Sequence, residues 1–212
     1  MRGCSGDAGY HDAVALTLII GGARSGKSDL ALRLAAASKL PVLFVATMEP
    51  GDDEMRARID AHRIGRPEAW RTVEAPLALL DVLSTEARAG DCVLIDCMTL
   101  WVSNLLLSSL GAGESPGTSE IESSVRAAAL LAERLAAWCE SFDGDALVVT
   151  NEVGGGVVPA YALGRAFRDA LGGANRALAL HARQVYQVAA GLAVDLKALG
   201  AQPVEALGET PT

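Results

Sequence analysis

Residues 21–28 read Gly-Gly-Ala-Arg-Ser-Gly-Lys-Ser. Two glycines with four residues between them, Gly21 and Gly26, then a lysine and a hydroxyl, are what a phosphate cradle needs. Glycines let the backbone turn its N–H groups onto a phosphate, and a following helix adds the positive end of its dipole. Gly21, Gly22, Ala23, Arg24, Ser25 and Gly26 would supply that backbone. Lys27 would reach the β- and γ-phosphates, and the Ser28 hydroxyl would ligate Mg²⁺. A glycine turn with a chance lysine is the bland alternative. The context argues against it: an apolar run, Val14–Ile20, enters the loop and a helical stretch, Asp29–Ala37, leaves it. The residues therefore point to a nucleoside triphosphate as substrate.

A second acidic element follows. Cys92-Val-Leu-Ile-Asp96 is an apolar strand ending in a carboxylate. Asp96 either holds the Mg²⁺ shell with Ser28 or caps the helix beginning near Met98; the two roles are compatible. Between the two elements lie Ala46-Thr47-Met48, Asp52-Asp53-Glu54-Met55, Arg58-Ile59, His62, Gly65-Arg66-Pro67, Trp70-Arg71 and Glu74. The acidic run opens a helix that Gly65 and Pro67 close. Met55, Ile59 and His62 share one face of it, so spacing alone allows a packed histidine. Arg58, Arg63, Arg66 and Arg71 crowd the same stretch, either as a polyphosphate site or as a solvated face paired with Asp52–Glu54.

These groups need elements to position them. The pattern alternates strand and helix, which implies a mostly parallel sheet covered on both faces. Strands are expected at 14–20, 41–46, 92–96, 145–150, 184–189 and 192–197. Helices are expected at 27–38, 52–64, 76–88, 98–110, 119–141, 162–171 and 173–183. Ala190-Gly191 allows a tight hairpin that would turn the last strand antiparallel. Residues 1–13 read as a disordered extension without a secretory h-region, 14–198 as one domain and 199–212 as a fraying tail. Residues 111–118 are the clearest linker, and Ser119 with Glu122 offers a capping box for the next helix. That helix either crosses the sheet or feeds a subunit contact.

Aromatics are only 4% of the 212 residues, so alanine, leucine and valine must build the core. A net charge of −8 argues against a nucleic-acid partner and against an anionic membrane surface. No run is long enough to span a bilayer. Cys4, Cys92, Cys97 and Cys139 have no metal-ligand spacing and read as reduced cytoplasmic thiols. Cys92 and Cys97, at odd spacing around a strand, are expected on opposite faces.

The chain resembles the bifunctional adenosylcobinamide kinase/adenosylcobinamide-phosphate guanylyltransferase family of cobalamin biosynthesis. The likeness rests on Gly21–Ser28, Ala46-Thr47, Asp52–Met55, Arg58-Ile59 with His62, Gly65–Pro67, Trp70–Thr72 and Glu74. It continues through Thr150-Asn-Glu-Val-Gly154, Val158-Pro159, Arg165 and Phe167–Asp169. The phosphate loop is generic; the histidine block and Thr-Asn-Glu-Val-Gly are specific. The resemblance implies a P-loop α/β fold of RecA-like character and a homotrimer acting on small molecules. ATP or GTP would phosphorylate the aminopropanol hydroxyl of adenosylcobinamide. GTP would then donate GMP to adenosylcobinamide phosphate through a guanylylated His62, releasing pyrophosphate. Positions matching Ala46, Thr47, Met48, Arg63, Ile64, Gly65, Arg66, Glu74 and Asp96 would lie around the GTP. A neutral imidazole, with a reference pKa of about 6.5, is a good nucleophile near neutrality. Here Ala160-Tyr161 follow Pro159 where the family often has an acidic residue and Asn. A monofunctional small-molecule kinase would use the phosphate loop alone. A GTP-binding regulatory module would ordinarily carry an Asn-Lys-x-Asp base-reading motif, which this chain lacks.

Overall fold

The apolar run that enters the glycine loop becomes strand β1, Leu16–Gly21, buried along its whole length. The computed structural model describes residues 16–48, 67–110 and 116–207. Around β1 lie β2 (Val42–Ala46), β3 (Arg71–Glu74), β4 (Cys92–Asp96), β5 (Asp145–Asn151), β6 (Gln184–Ala189) and β7 (Leu192–Asp195). They form one sheet in the order β3-β2-β4-β5-β1-β6-β7. Every pairing is parallel except β6 with β7, which is antiparallel as the Ala190-Gly191 turn allowed. This is an α/β fold of the P-loop type. β5 stands between the phosphate-loop strand β1 and the acid-bearing strand β4.

Strand alternation divides the core between two faces. Leu18, Leu43, Val45, Val93, Ile95, Ala146 and Val148 point to one face. There they meet helices α2 (Leu79–Glu86), α3 (Met98–Leu110), α4 (Thr118–Ser141) and α5 (Ala162–His181). Ile19, Phe44, Leu94, Leu147 and Val149 point to the other face, onto Ala31 and Ala35 of helix α1, Lys27–Ala37. The small buried residues of α4 and α5, including Ala128, Ala132, Ala136, Ala170 and Ala174, let the helices lie close. Leu171 and Leu178, both fully buried, contribute about 1.5–3 kcal/mol each by leaving water.

Several expected elements differ. β3 is a strand beyond those expected; its sequence Arg-Thr-Val-Glu alternates half-buried and exposed residues, which is the look of a sheet edge. The helices expected at 162–171 and 173–183 are one, α5, which runs through Gly172 and Gly173. Two glycines cost helix propensity, but the apolar face continues across them and decides the outcome. α4 starts at Thr118, and the carboxylate of Glu120 rather than Glu122 accepts from Gly117 N at 2.9 Å. Glycine has no side chain to return the bond, so only half a capping box forms. α4 buries Leu135 and Cys139 in the same core cluster as the strands. Cys92 and Cys97 enter the same cluster, on the α1 face, because the strand ends at Asp96 and its alternation ends with it.

Candidate active site

The loop after β1 takes the shape its glycines permit. Gly26 has φ 95° and serves as N-cap of α1 with no side-chain cap. The first N–H groups of that helix are thus left for an anion. Ser25 N donates to Gly22 O at 3.3 Å, which closes the turn. Lys27 Nζ lies back over the loop, 3.1 Å from Gly22 O. Ser28 stands in the first turn of α1, half-buried.

Three further candidates fall on one rung of the sheet at its carboxyl edge. Ala46 pairs with Glu74 on one side and with Asp96 on the other. Asp96 in turn pairs with Val149, which pairs with Ile19, two residues before Gly21. Two strand spacings separate Asp96 from the phosphate-loop strand, about 10 Å. Thr47 is fully buried. Its hydroxyl donates to Cys97 O at 2.7 Å and accepts from Cys97 N at 2.8 Å. Its N–H donates to Asp96 O. Thr47 therefore staples the ends of β2 and β4 together, and its side chain acts through that staple. Asn104 Nδ2 donates to Thr47 O at 2.9 Å and to Pro76 O at 3.1 Å, which holds the exit of β2 against the entry to α2. Met48 follows, half-buried. His62, Arg63, Ile64, Gly65 and Arg66, with the expected helix 52–64, lie outside the described residues. Arg71 does not join the phosphate site. It sits at the amino end of β3, paired with buried Asp91 and donating to Glu86 O at 2.9 Å, at the opposite edge of the sheet.

Among the described residues, two buried side-chain polar atoms lack a hydrogen-bond partner: Ser25 Oγ and Asn151 Oδ1. Both stand at this same edge, since Asn151 pairs with Gly21 across β5 and β1. Unpaired buried polar atoms cost about 1–3 kcal/mol each, so two at one edge make it the candidate place for a ligand.

Among the described residues the three thiols, Cys92, Cys97 and Cys139, are buried. Burial first, then Asp96, pushes the Cys97 thiol up to about 11; burial pushes Cys92 and Cys139 up to about 12. Their thiolates, the reactive form, are scarce near neutrality. A Cys4→Ser protein at pH 8 is expected to show no reaction with Ellman's reagent until it is unfolded. The raised values stabilise the fold fully below the unfolded value of 9.0, and that contribution is lost as pH rises from there toward 11 and 12. Stability should fall by up to about 1.4 kcal/mol per thiol for each pH unit above 9. Fast native-state labelling, or a flat melting temperature from pH 8 to 10, would contradict this.

A family model described as cobinamide kinase / cobinamide phosphate guanyltransferase matches residues 17–196, most of the chain. The chain belongs to this family. The bifunctional adenosylcobalamin biosynthesis protein CobP of Pseudomonas aeruginosa is 44% identical over 180 residues, covering 85% of this chain and 96% of that protein. The protein of Escherichia coli with the same description, CobU, is 40% identical over 182 residues, covering 86% of this chain and 99% of that one. CobU of Salmonella typhimurium is 39% identical over the same length.

In this cobinamide kinase / guanyltransferase family member the sequence concealed two supports of the site. The β6–β7 hairpin braces the phosphate loop: Gly191 N donates to Ser25 O at 2.9 Å. The hairpin was legible, but its contact with a loop some 165 residues earlier was not. Asn175, buried in α5, donates to Asn151 O at 3.0 Å and accepts from the Thr150 hydroxyl at 2.7 Å. An asparagine on an otherwise buried helix face was the available signal. Gly21 and Gly22 then separate by packing. A Cβ on Gly21 would stand 2.3 Å from Val188 O, whereas one on Gly22 meets nothing within 4 Å. Gly21→Ala is expected to push β1 from β6 and cost about 1–3 kcal/mol, with Gly22→Ala near wild-type stability. Equal melting temperatures for the two variants would contradict this packing.

Proposed function

We propose that this protein phosphorylates adenosylcobinamide with ATP or GTP and then transfers GMP from GTP to adenosylcobinamide phosphate, releasing pyrophosphate. The observation that carries this reading is the phosphate cradle at the sheet's carboxyl edge, with two unpartnered buried polar atoms beside it, inside a chain that matches the family over residues 17–196. The relatives are named bifunctional, so one chain would perform both steps. In the first step the cradle N–H groups and Lys27 hold the triphosphate and stabilise charge on the transferring group, while the acceptor hydroxyl attacks the γ-phosphorus. In the second, His62 attacks the α-phosphorus of GTP, pyrophosphate leaves, and the substrate phosphate then takes GMP from the imidazole. Arg63, Ile64, Gly65, Arg66, Ala46, Thr47, Met48, Glu74 and Asp96 would surround the GTP, with Thr47 acting by holding Cys97 and Asp96 in place.

Ser28 and Asp96 offer one hydroxyl and one carboxylate. Hard oxygen donors, few in number, suit a Mg²⁺ that keeps waters and is bound chiefly through substrate phosphates. When bound, the ion would neutralise phosphate charge. We further infer a cytoplasmic homotrimer and a single domain over 14–198. The one continuous sheet supports the domain, and no helix among the described residues is long and apolar enough to cross a membrane. The test of function is turnover. Purified protein with adenosylcobinamide, ATP, GTP and Mg²⁺ should yield adenosylcobinamide phosphate and then adenosylcobinamide-GDP, resolved by chromatography. Phosphate ester alone would leave the monofunctional kinase. Absence of both products would overturn the reading.

A further inference from the structure

α4 and α5 run side by side in the same direction. His181 Nδ1 lies 2.8 Å from Glu140 Oε2 at their carboxyl ends, and their amino-terminal halves enclose a groove of about 430 Å³. Asn175 fixes the height of α5 against the sheet edge, through Asn151 and Thr150. Arg165, which lines the groove, is ten residues earlier. At the helical rise that places the groove about 15 Å along the helix axis from the strand ends. The segment 152–161 bridges this gap. It begins with Glu152 N on Gly21 O, and Arg165 Nη1 fastens its end by donating to Pro159 O and Ala160 O.

The lining has a particular chemistry. Ile121, Val125, Ala162 and Ala166 are apolar, and Glu122, Arg126, Arg165 and Asp169 add two positive and two negative groups. Balanced charge does not select an anion, so a nucleotide is a poor occupant. Guanidinium donors beside carboxylate acceptors match primary amides, which both donate and accept. Glu122 and Arg126 are 4.0 Å apart with 62% and 70% of their side chains exposed. Such a pair is weak and yields readily to a ligand. Val157, Val158 and Tyr161, at 96%, 60% and 68% exposure, line the bridging segment with apolar surface.

We propose that this groove, with its Val157–Tyr161 lip, seats the amide-bearing edge of the corrin macrocycle of the acceptor substrate. The inference rests on the reading that the chain acts on adenosylcobinamide. There the reacting hydroxyl is joined to the macrocycle by an aminopropanol arm. The ring must accordingly be held beyond the phosphate loop, while the hydroxyl reaches it. The volume takes one edge of the ring with its amide arms.

The test is equilibrium dialysis of the full chain against adenosylcobinamide without nucleotide, read by corrin absorbance. Ala162 is exposed at the start of α5, so Ala162→Trp fills the groove without entering the core. Asp169→Ala removes an acceptor. Each is expected to weaken corrin binding about ten-fold or more, with melting temperature and GTP dialysis showing that the fold persists. Unchanged corrin affinity in both variants would overturn the proposal. So would a change of molar mass by light scattering in step with lost affinity, which would make the groove a subunit contact. Wild-type protein that binds the corrinoid but does not phosphorylate it would end the catalytic reading and leave the groove to be judged by the variants. Wild-type protein that does not bind it would end both.

Discussion

Lys27→Ala is expected to lose both reactions together, by about 10²–10³ in kcat for each. The lysine is in the first turn of α1, with its ammonium over the loop at Gly22 O. A triphosphate in the cradle would place its β- and γ-phosphates where that charge sits. The kinase step needs it because charge shifts toward the β–γ bridge as the γ-phosphoryl group leaves. The guanylyl step needs it because the leaving group is pyrophosphate, made of those same two phosphates. One cradle thus serves two different bond cleavages. Initial rates of adenosylcobinamide phosphorylation and of GMP transfer, each beside a melting curve, give the answer. A folded Lys27→Ala protein with normal turnover in either assay would mean that the two reactions do not share this cradle.

His62→Ala is expected to split the activities. Formation of adenosylcobinamide-GDP should fall to background, while phosphorylation of adenosylcobinamide persists. The γ-phosphoryl group passes directly to the substrate hydroxyl and needs no protein nucleophile. If His62 were only a packed helix residue beside Met55 and Ile59, the substitution would lower stability and reduce both rates in parallel. The ratio of the two rates, compared with wild type at equal folded fraction, separates the alternatives. Parallel loss would remove His62 from the chemistry.

The parts legible in the sequence were those that local rules decide. A buried parallel strand must be apolar throughout, so β1, β2, β4 and β5 showed themselves within a residue or two. The phosphate loop declared itself because few backbones besides glycine's allow the φ of 95° seen at Gly26. What stayed hidden depends on contacts distant in sequence. β3 has no apolar run and is a strand because Leu43–Ala46 pair with it. Arg71 looked like part of an arginine cluster; its partner Asp91 is brought to it only by the pairing of β3, β2 and β4. Resemblance places Thr47 beside the nucleotide, and its bonds to Cys97 appear only once β2 lies beside β4. Gly191 and Asn175 support the site from elements that the motif does not include.

The most direct test of two-step guanylyl transfer is a pulse and chase. The protein is incubated with α-labelled GTP and Mg²⁺, freed of nucleotide, and then given adenosylcobinamide phosphate. The wild-type chain is expected to carry a label that survives denaturation, resists alkali and is lost in acid, as a phosphoramidate should. The chase should move this label into adenosylcobinamide-GDP, and His62→Ala should take up none. A chain that forms adenosylcobinamide-GDP without ever carrying label, or a label that the substrate phosphate cannot discharge, would contradict it.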